Sequence, residues 1–217
     1  MVAHITQAGT VFDKHGRPFR RRNPTPALIA LAVAVLVTTV VWSVALTRTD
    51  EGEQIAACNP PPAAGTADRP ALGEQVSAST MVEIAPAPLS ATNIRVLNAS
   101  GRGGQASEVA AALRDLGFTQ PTAANDPIYA EARLDCQGQI RFGKTGEAAA
   151  AALWLVAPCT ELFRDGRDDD SVDLALGTDF GALAHSDDIE SVLDGLRPDA
   201  VEAPGPDLVA QAHSGVC

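Results

Sequence analysis

Four short runs hold the residue types from which chemistry could be built. Gly138-Gln139-Ile140-Arg141-Phe142-Gly143-Lys144-Thr145 fits G-x-x-x-x-G-K-[ST], in which backbone amides cradle phosphates and the lysine reaches the terminal one. Such a loop must follow a strand. Here Ile140 and Phe142 alternate with polar neighbours, so the run is itself a strand. Lys144-Thr145-Gly146 matches the K-T-G element of penicillin-binding serine enzymes, which also need a Ser three residues before a Lys. The only lysines are Lys14 and Lys144, and Val11 and Arg141 stand at that distance. Asp168-Asp169-Asp170 lacks the spacing of a calcium loop and reads as a solvated turn. There is no G-x-S-x-G, no H-E-x-x-H and no acid pair suited to glycoside hydrolysis. An enzyme would have to work with Asp, Glu, Arg and Ser alone, so no catalytic residue, cofactor or metal site is expected.

Asn98-Ala99-Ser100-Gly101-Arg102-Gly103-Gly104 is the polar run of most interest. It ends a strand and opens a helix, where free backbone N–H groups gather and ligands dock. The plain reading is a tight turn that needs glycine's dihedral freedom. The functional reading is a weak site for an anionic or hydroxyl-rich wall polymer, made by Asn98, Ser100, Gly101, Arg102, Gly103 and Gly104.

The elements around this run are legible from periodicity. Ile94, Val96 and Leu97 mark a strand; Ala106, Val109, Ala110, Leu113 and Leu116 mark a helix face, and Gly117 stops it. Gln139–Gly143 reads as a strand, Glu147–Ala157 as an Ala-rich helix closed by Pro158, and Val172, Leu174 and Leu176 as a final strand. The order β-α-(β)-β-α-β-β predicts an α/β (α+β) sandwich with two helices packed on a small mixed sheet.

The four cysteines offer a staple for so small a core. A strand of ~23 Å after Cys136 and a returning helix of ~16 Å predict a Cys136–Cys159 disulfide. Cys58 and Cys217 are left over to pair with each other, although spacing alone does not settle connectivity. No two cysteines are close enough for a zinc site.

Ala27–Leu46 is uncharged throughout and long enough to cross ~30 Å of hydrocarbon. Arg20-Arg21-Arg22 precede it, and Asp50, Glu51 and Glu53 follow, which places the N-terminus in the cytoplasm and the rest outside the plasma membrane. A cleaved signal peptide is the alternative, with Ser43-Val44-Ala45 as the small-residue site, but the run exceeds the usual roughly 7–15 apolar residues. Ile55-Ala56-Ala57-Cys58 imitates a lipid-attachment box behind acidic residues. Residues 47–92, rich in Pro and Ala, read as an extended spacer, with Met81–Ile84 as a possible short strand. In residues 182–217 Asp187 and Glu190 suggest a capped helix. The net charge is −11, and it divides as +4 over residues 1–26 and −15 over residues 27–217. So acidic a body excludes nucleic acid as partner.

The run IRVLNASGRGGQASEVAAALRDLGF resembles the opening of the LytR C-terminal domain: a V-x-V-L-N-G-S-G-like strand, a glycine turn and a helix ending L-x-x-x-G-F. VDLALGTDF is similar to that domain's closing strand, so the likeness spans roughly residues 93–180. Gln105 departs from the family's apolar residue after the glycines. In that family the domain often follows a glycopolymer-transferring catalytic domain, and this chain is too short to hold one. The resemblance implies a non-enzymatic, membrane-anchored role in the integrity of an actinobacterial cell envelope, through wall polymer or an envelope-assembly protein. A transferase or hydrolase of envelope glycans is the alternative, and it would show as Asp, Glu and Arg converging in a cleft. A third reading makes Arg20–Arg22 a regulatory arm on anionic lipid or a partner.

The expected layout is therefore a basic N-terminus at 1–26, a transmembrane helix at 27–46, a spacer at 47–92, the folded domain at 93–181 and a helical tail at 182–217. The oligomeric state is left open.

Overall fold

The computed structural model describes residues 25–48, 57–62 and 71–214. The chain divides into two units, residues 1–51 and 52–217. The first contains helix α1, Thr25–Arg48, which is apolar and long enough to cross a membrane. Three of its hydroxyls bond within the helix: Thr38 Oγ1 donates to Ala34 O at 2.8 Å, Thr39 Oγ1 to Val35 O at 2.8 Å, and Ser43 Oγ to Val40 O at 2.9 Å. That is the condition for placing hydroxyls on a helix in hydrocarbon. The basic run Arg20–Arg22 lies outside the described residues.

The second unit is built on one six-stranded mixed sheet. Its elements are β1 (Glu74–Val76), α2 (Ala78–Val82), β2 (Asn93–Asn98), α3 (Gln105–Asp115), β3 (Thr122–Asn125), β4 (Gly138–Phe142), α4 (Glu147–Trp154), β5 (Glu161–Arg164), β6 (Ser171–Leu176), α5 (Asp187–Gly195) and α6 (Pro206–His213). The strand order is β1-β5-β4-β6-β2-β3. β2 runs parallel to β3 and β6, and β4 parallel to β5; β4 meets β6, and β1 meets β5, antiparallel.

Alternation along the strands separates two faces. Ile94, Val96, Ile140, Phe142, Leu162, Val172, Leu174 and Leu176 join the core formed with the helices. Their neighbours Arg95, Leu97, Gln139, Arg141, Asp173 and Ala175 therefore point to the other face, which carries no helix among the described residues. Over part of that face lies a smaller cluster of Leu97, Ala99, Ile128, Tyr129, Leu134, Cys136 and Ala175.

Four expectations change. Residues 72–92 are not a spacer: β1 pairs with β5, and Met81 and Leu89 are fully buried in the core. Met81–Ile84 is not a strand, because Ser77 caps α2 by accepting from Thr80 N and the helical turn carries Met81 inward. The cap of α5 is Ser186, which accepts from Ile189 N at 3.2 Å; Asp187 is its first helical residue.

The cysteine pairing also differs. Cys58 is bonded to Cys136, not to Cys217, and so Cys136 is not bonded to Cys159. The helix α4 does return toward the start of β4, as its length requires. However, Cys136 belongs to the cluster on the helix-free face, where Cys58 packs against it. Matching lengths gave the right end of the sheet and left the face unspecified. Cys159 is itself disulfide-bonded, and Cys217 lies outside the described residues.

Candidate functional site

The turn Asn98–Gly104 is bonded to itself and to the closing loop after β6. Asn98 Nδ2 donates to Arg102 O at 2.7 Å, and Asn98 Oδ1 accepts from Ser100 N at 3.2 Å. Ser100 Oγ lies 2.5 Å from Gln105 Oε1 and accepts from Arg102 N at 3.1 Å. Arg102 NH2 and Gln105 Nε2 both donate to Phe180 O, at 2.9 and 3.4 Å. Gln105, the departure from the family pattern, is thus a buried amide that ties the turn to residue 180. Gly101 and Gly104 hold φ of 77° and 84°, values that favour glycine. The Asn98 and Ser100 side chains bond within the turn and to Gln105, Arg102 is exposed and reaches Phe180, and Gly103 opens to free space.

The helix-free face brings together residues the motifs did not point to. Strand register places Arg141, Asp173 and Arg95 side by side across β4, β6 and β2. Arg95 grips Asp173 with two bonds, Nε to Oδ1 at 2.6 Å and NH2 to Oδ2 at 2.9 Å. Arg167, from the β5–β6 loop, donates to Asp173 Oδ2 at 2.8 Å and to both oxygens of Asp165. Its NH1 also reaches Ser171 Oγ at 3.1 Å, and that hydroxyl donates to Asp169. Bidentate charge-assisted bonds of this kind fix planar groups in one orientation.

The electrostatics follow from this pairing. Burial alone would lower the Arg167 guanidinium and raise the Asp165 carboxyl. Hydrogen bonds and charge attraction between the two, joined for Arg167 by those of Asp173, together outweigh burial, so Arg167 is raised and Asp165 is held below the usual carboxylate value. The hydrogen bond from Ser171 lowers Asp169 as well.

Arg141 is deeper. It and Asp126 are 2% and 0% exposed, with Arg141 NH1 2.8 Å from Asp126 Oδ2. The other Asp126 oxygen accepts from Ile128 N at 2.6 Å and Tyr129 N at 3.1 Å. Arg141 also donates to Gln139 Oε1 at 2.8 Å, and Gln139 Nε2 to Glu161 Oε2 at 3.3 Å. Burial raises the Tyr129 phenol, against the lowering effect of Arg141, whose guanidinium lies 5.7 Å from the ring centroid.

Between the β5–β6 loop and residues 122–128 lies a cleft of about 600 Å³. Its floor is Arg95, Leu97, Arg141 and Asp173. Three arginines and three aspartates line it, so its formal charge is zero. That size and mixture suit a small ligand or a short stretch of polymer. No group of three metal-ligating side chains occurs among the described residues.

Residues 91–180 match the LytR_C family, described as LytR cell envelope-related transcriptional attenuator. Over all 217 residues, 100% of both chains, the sequence is 64% identical to the cell envelope integrity protein Cei of Mycobacterium tuberculosis (strain ATCC 25618 / H37Rv). This chain belongs to the LytR_C family. The crystal structure of the soluble domain, residues 71–217, of a conserved hypothetical secreted protein from Mycobacterium marinum is 68% identical, with a TM-score of 0.66. It covers 67% of this chain and 99% of its own. The LytR_C match embraces both the glycine turn and the three strands that floor the cleft.

Proposed function

We propose that this chain is a single-pass, non-enzymatic envelope protein that binds a neutral, hydroxyl-rich wall polymer in the cleft on the helix-free face. The name of the Cei relative and the LytR_C match support an envelope role. The observation that carries the binding reading is the Arg95–Asp173–Arg167–Asp165 chain lining a concave, charge-balanced surface. Paired charges attract neither a phosphate nor a cation strongly, while they present fixed donors and acceptors to hydroxyls. The aromatic side chains of the second unit described in the structure are buried, so hydrogen bonds rather than ring stacking carry recognition.

A second reading, a glycan transferase or hydrolase, draws on the same convergence of Asp and Arg. General acid catalysis at a glycosidic bond needs a carboxyl whose pKa is raised. Asp165 and Asp169 are shifted the opposite way. The binding reading is therefore the better supported.

The test uses the domain from residue 57 onward, co-sedimented with cell walls before and after removal of attached polysaccharide. Binding should disappear on stripping. Arg95→Ala should weaken it about tenfold, while Arg102→Ala leaves it unchanged. Binding indifferent to Arg95→Ala and to Asp173→Asn would reject the cleft. Release of sugar by the wild-type domain that Asp173→Asn abolishes would establish the enzyme instead.

A further inference from the structure

One edge of the sheet is open, and that edge is a wall of the cleft. β3 pairs with β2 alone, and its four residues, Thr122-Ala123-Ala124-Asn125, are all exposed. None of them is charged and none has a large side chain. Asp126 N donates to Asn98 O at 3.0 Å. Successive residues of a strand direct their N–H and C=O to opposite sides. Thr122, Ala124 and Asp126 therefore bond toward β2, while Ala123 and Asn125 turn theirs outward, where no strand lies among the described residues. Pro121 and Pro127 share that outward parity and have no N–H, so they bracket a window of two donor–acceptor pairs. Gln120 holds φ of 42° directly before Pro121, a combination that sterics disfavour, and it aims the chain into the window. The other edge, β1, is three residues long and begins with a charge, Glu74, two ordinary protections of an edge.

We infer that the β3 edge takes an extended, uncharged peptide segment of a partner protein as an added strand. Edge pairing of this kind draws affinity from main-chain bonds and specificity from pockets for alternate side chains. Such pockets flank β3 on both faces. Register sets Thr122 and Ala124 beside Arg95 and Leu97 on the cleft face. On the helix face a second cavity, of about 210 Å³, lies against Ala123 and is lined by Asn98, Ala106, Ser107 and Asn125. Neither the strand nor that cavity carries a charged side chain, and the charges of the cleft cancel, so the occupant that fits is uncharged and has small polar side chains. A second copy of the chain fits worse, because residues 27–217 carry −15 and repel their like. The inference goes beyond the polymer reading, since it uses the wall of the cleft where that reading uses the floor.

The experiment selects peptides from a random heptapeptide phage library on full-length protein in dodecyl maltoside micelles. The Kd of the synthesised winners is then measured by fluorescence anisotropy. Enriched peptides should lose at least about tenfold in affinity on Ala123→Pro, which deletes an outward N–H and leaves the bonds to β2 in place. N-methylation at successive peptide positions gives a readout that does not depend on how that variant folds: binding should fall at every other residue and persist between them. Arg95→Ala, which tests the polymer reading, should change peptide affinity by less than about twofold. A library that enriches no peptide sensitive to Ala123→Pro, or an N-methyl scan without alternation, overturns the proposal. Peptides that need Arg95 and ignore Ala123→Pro would sit on the cleft floor, which also overturns it. A wild-type dimer in sedimentation velocity that Ala123→Pro dissociates would seat a second copy at the edge and overturn the peptide.

Discussion

At the residue scale, the buried Arg141–Asp126 pair is the most consequential feature of the domain. Two charges this deep in an interior stabilise little, because desolvation offsets their attraction, but removing one strands the other. Arg141→Met should therefore destabilise the domain by about 3 kcal/mol in urea unfolding. Adding Asp126→Asn should recover part of that loss, and the shortfall from additivity measures the pair. Equal loss in the single and double variants would mean that Arg141 acts through packing alone. His213 makes a second prediction. It stacks on Trp154 with ring centroids 4.0 Å apart, and burial lowers its pKa. Below the unfolded value of about 6.5 the unfolded chain takes up a proton that the folded chain resists, so stability falls on acidification. Between pH 7.5 and 5.5 the wild-type unfolding midpoint should drop, and His213→Phe should flatten that slope. The lowered Asp165 and Asp169 act in a separate window, where their contribution is lost as pH falls below about 3.8.

At the element scale, the closing strand β6 determines how tightly the helix-free face is built. Gly177 follows it, and a Cβ there would lie 2.0 Å from Cys136 O and 2.9 Å from Leu134 O. Gly177→Ala must push the 134–136 segment away from the sheet, at a cost of about 1–3 kcal/mol. Hydrogen exchange should show the loosening first at Thr178 and Asp179, whose amides bond to Leu134 O and Cys136 O. Exchange unchanged there would show that the backbone accommodates a methyl group without moving. The β-α units themselves were readable, because β2, β4 and β6 each set an apolar row into the core and α3 buries one stripe. The cleft was readable in principle and passed unnoticed. IRVLN, QIRF and VDLAL each set a polar residue between apolar ones, namely Arg95, Arg141 and Asp173. Alternation placed each on the polar side of its strand, but only the register β4-β6-β2 makes the three neighbours. β1 escaped notice because three residues are too few for a period, and α2 because five residues make little more than one turn.

At the scale of the whole molecule, the Cys58–Cys136 bond joins residues 78 apart, so it removes a large part of the unfolded chain's freedom. The chain-entropy relation assigns a loop of that size about 4.5 kcal/mol, and measured values cluster near 2–4 kcal/mol. The core does not depend on it for shape, since Met81, Leu89 and the helices pack on the opposite face of the sheet from Cys136. The crystallised relative makes the same point, because its soluble domain begins at its residue 71 and retains the fold. Cys58→Ser with Cys136→Ser should accordingly lower the unfolding free energy of the ectodomain by about 2–4 kcal/mol while leaving its folded circular dichroism spectrum intact. The loss should be the same in urea at low and high salt, because an entropic staple is blind to screening, whereas the Arg95–Asp173 contribution is partly exposed and declines with salt. A collapse of the folded spectrum would mean instead that the helix-free face nucleates the domain, and that the disulfide holds the fold together.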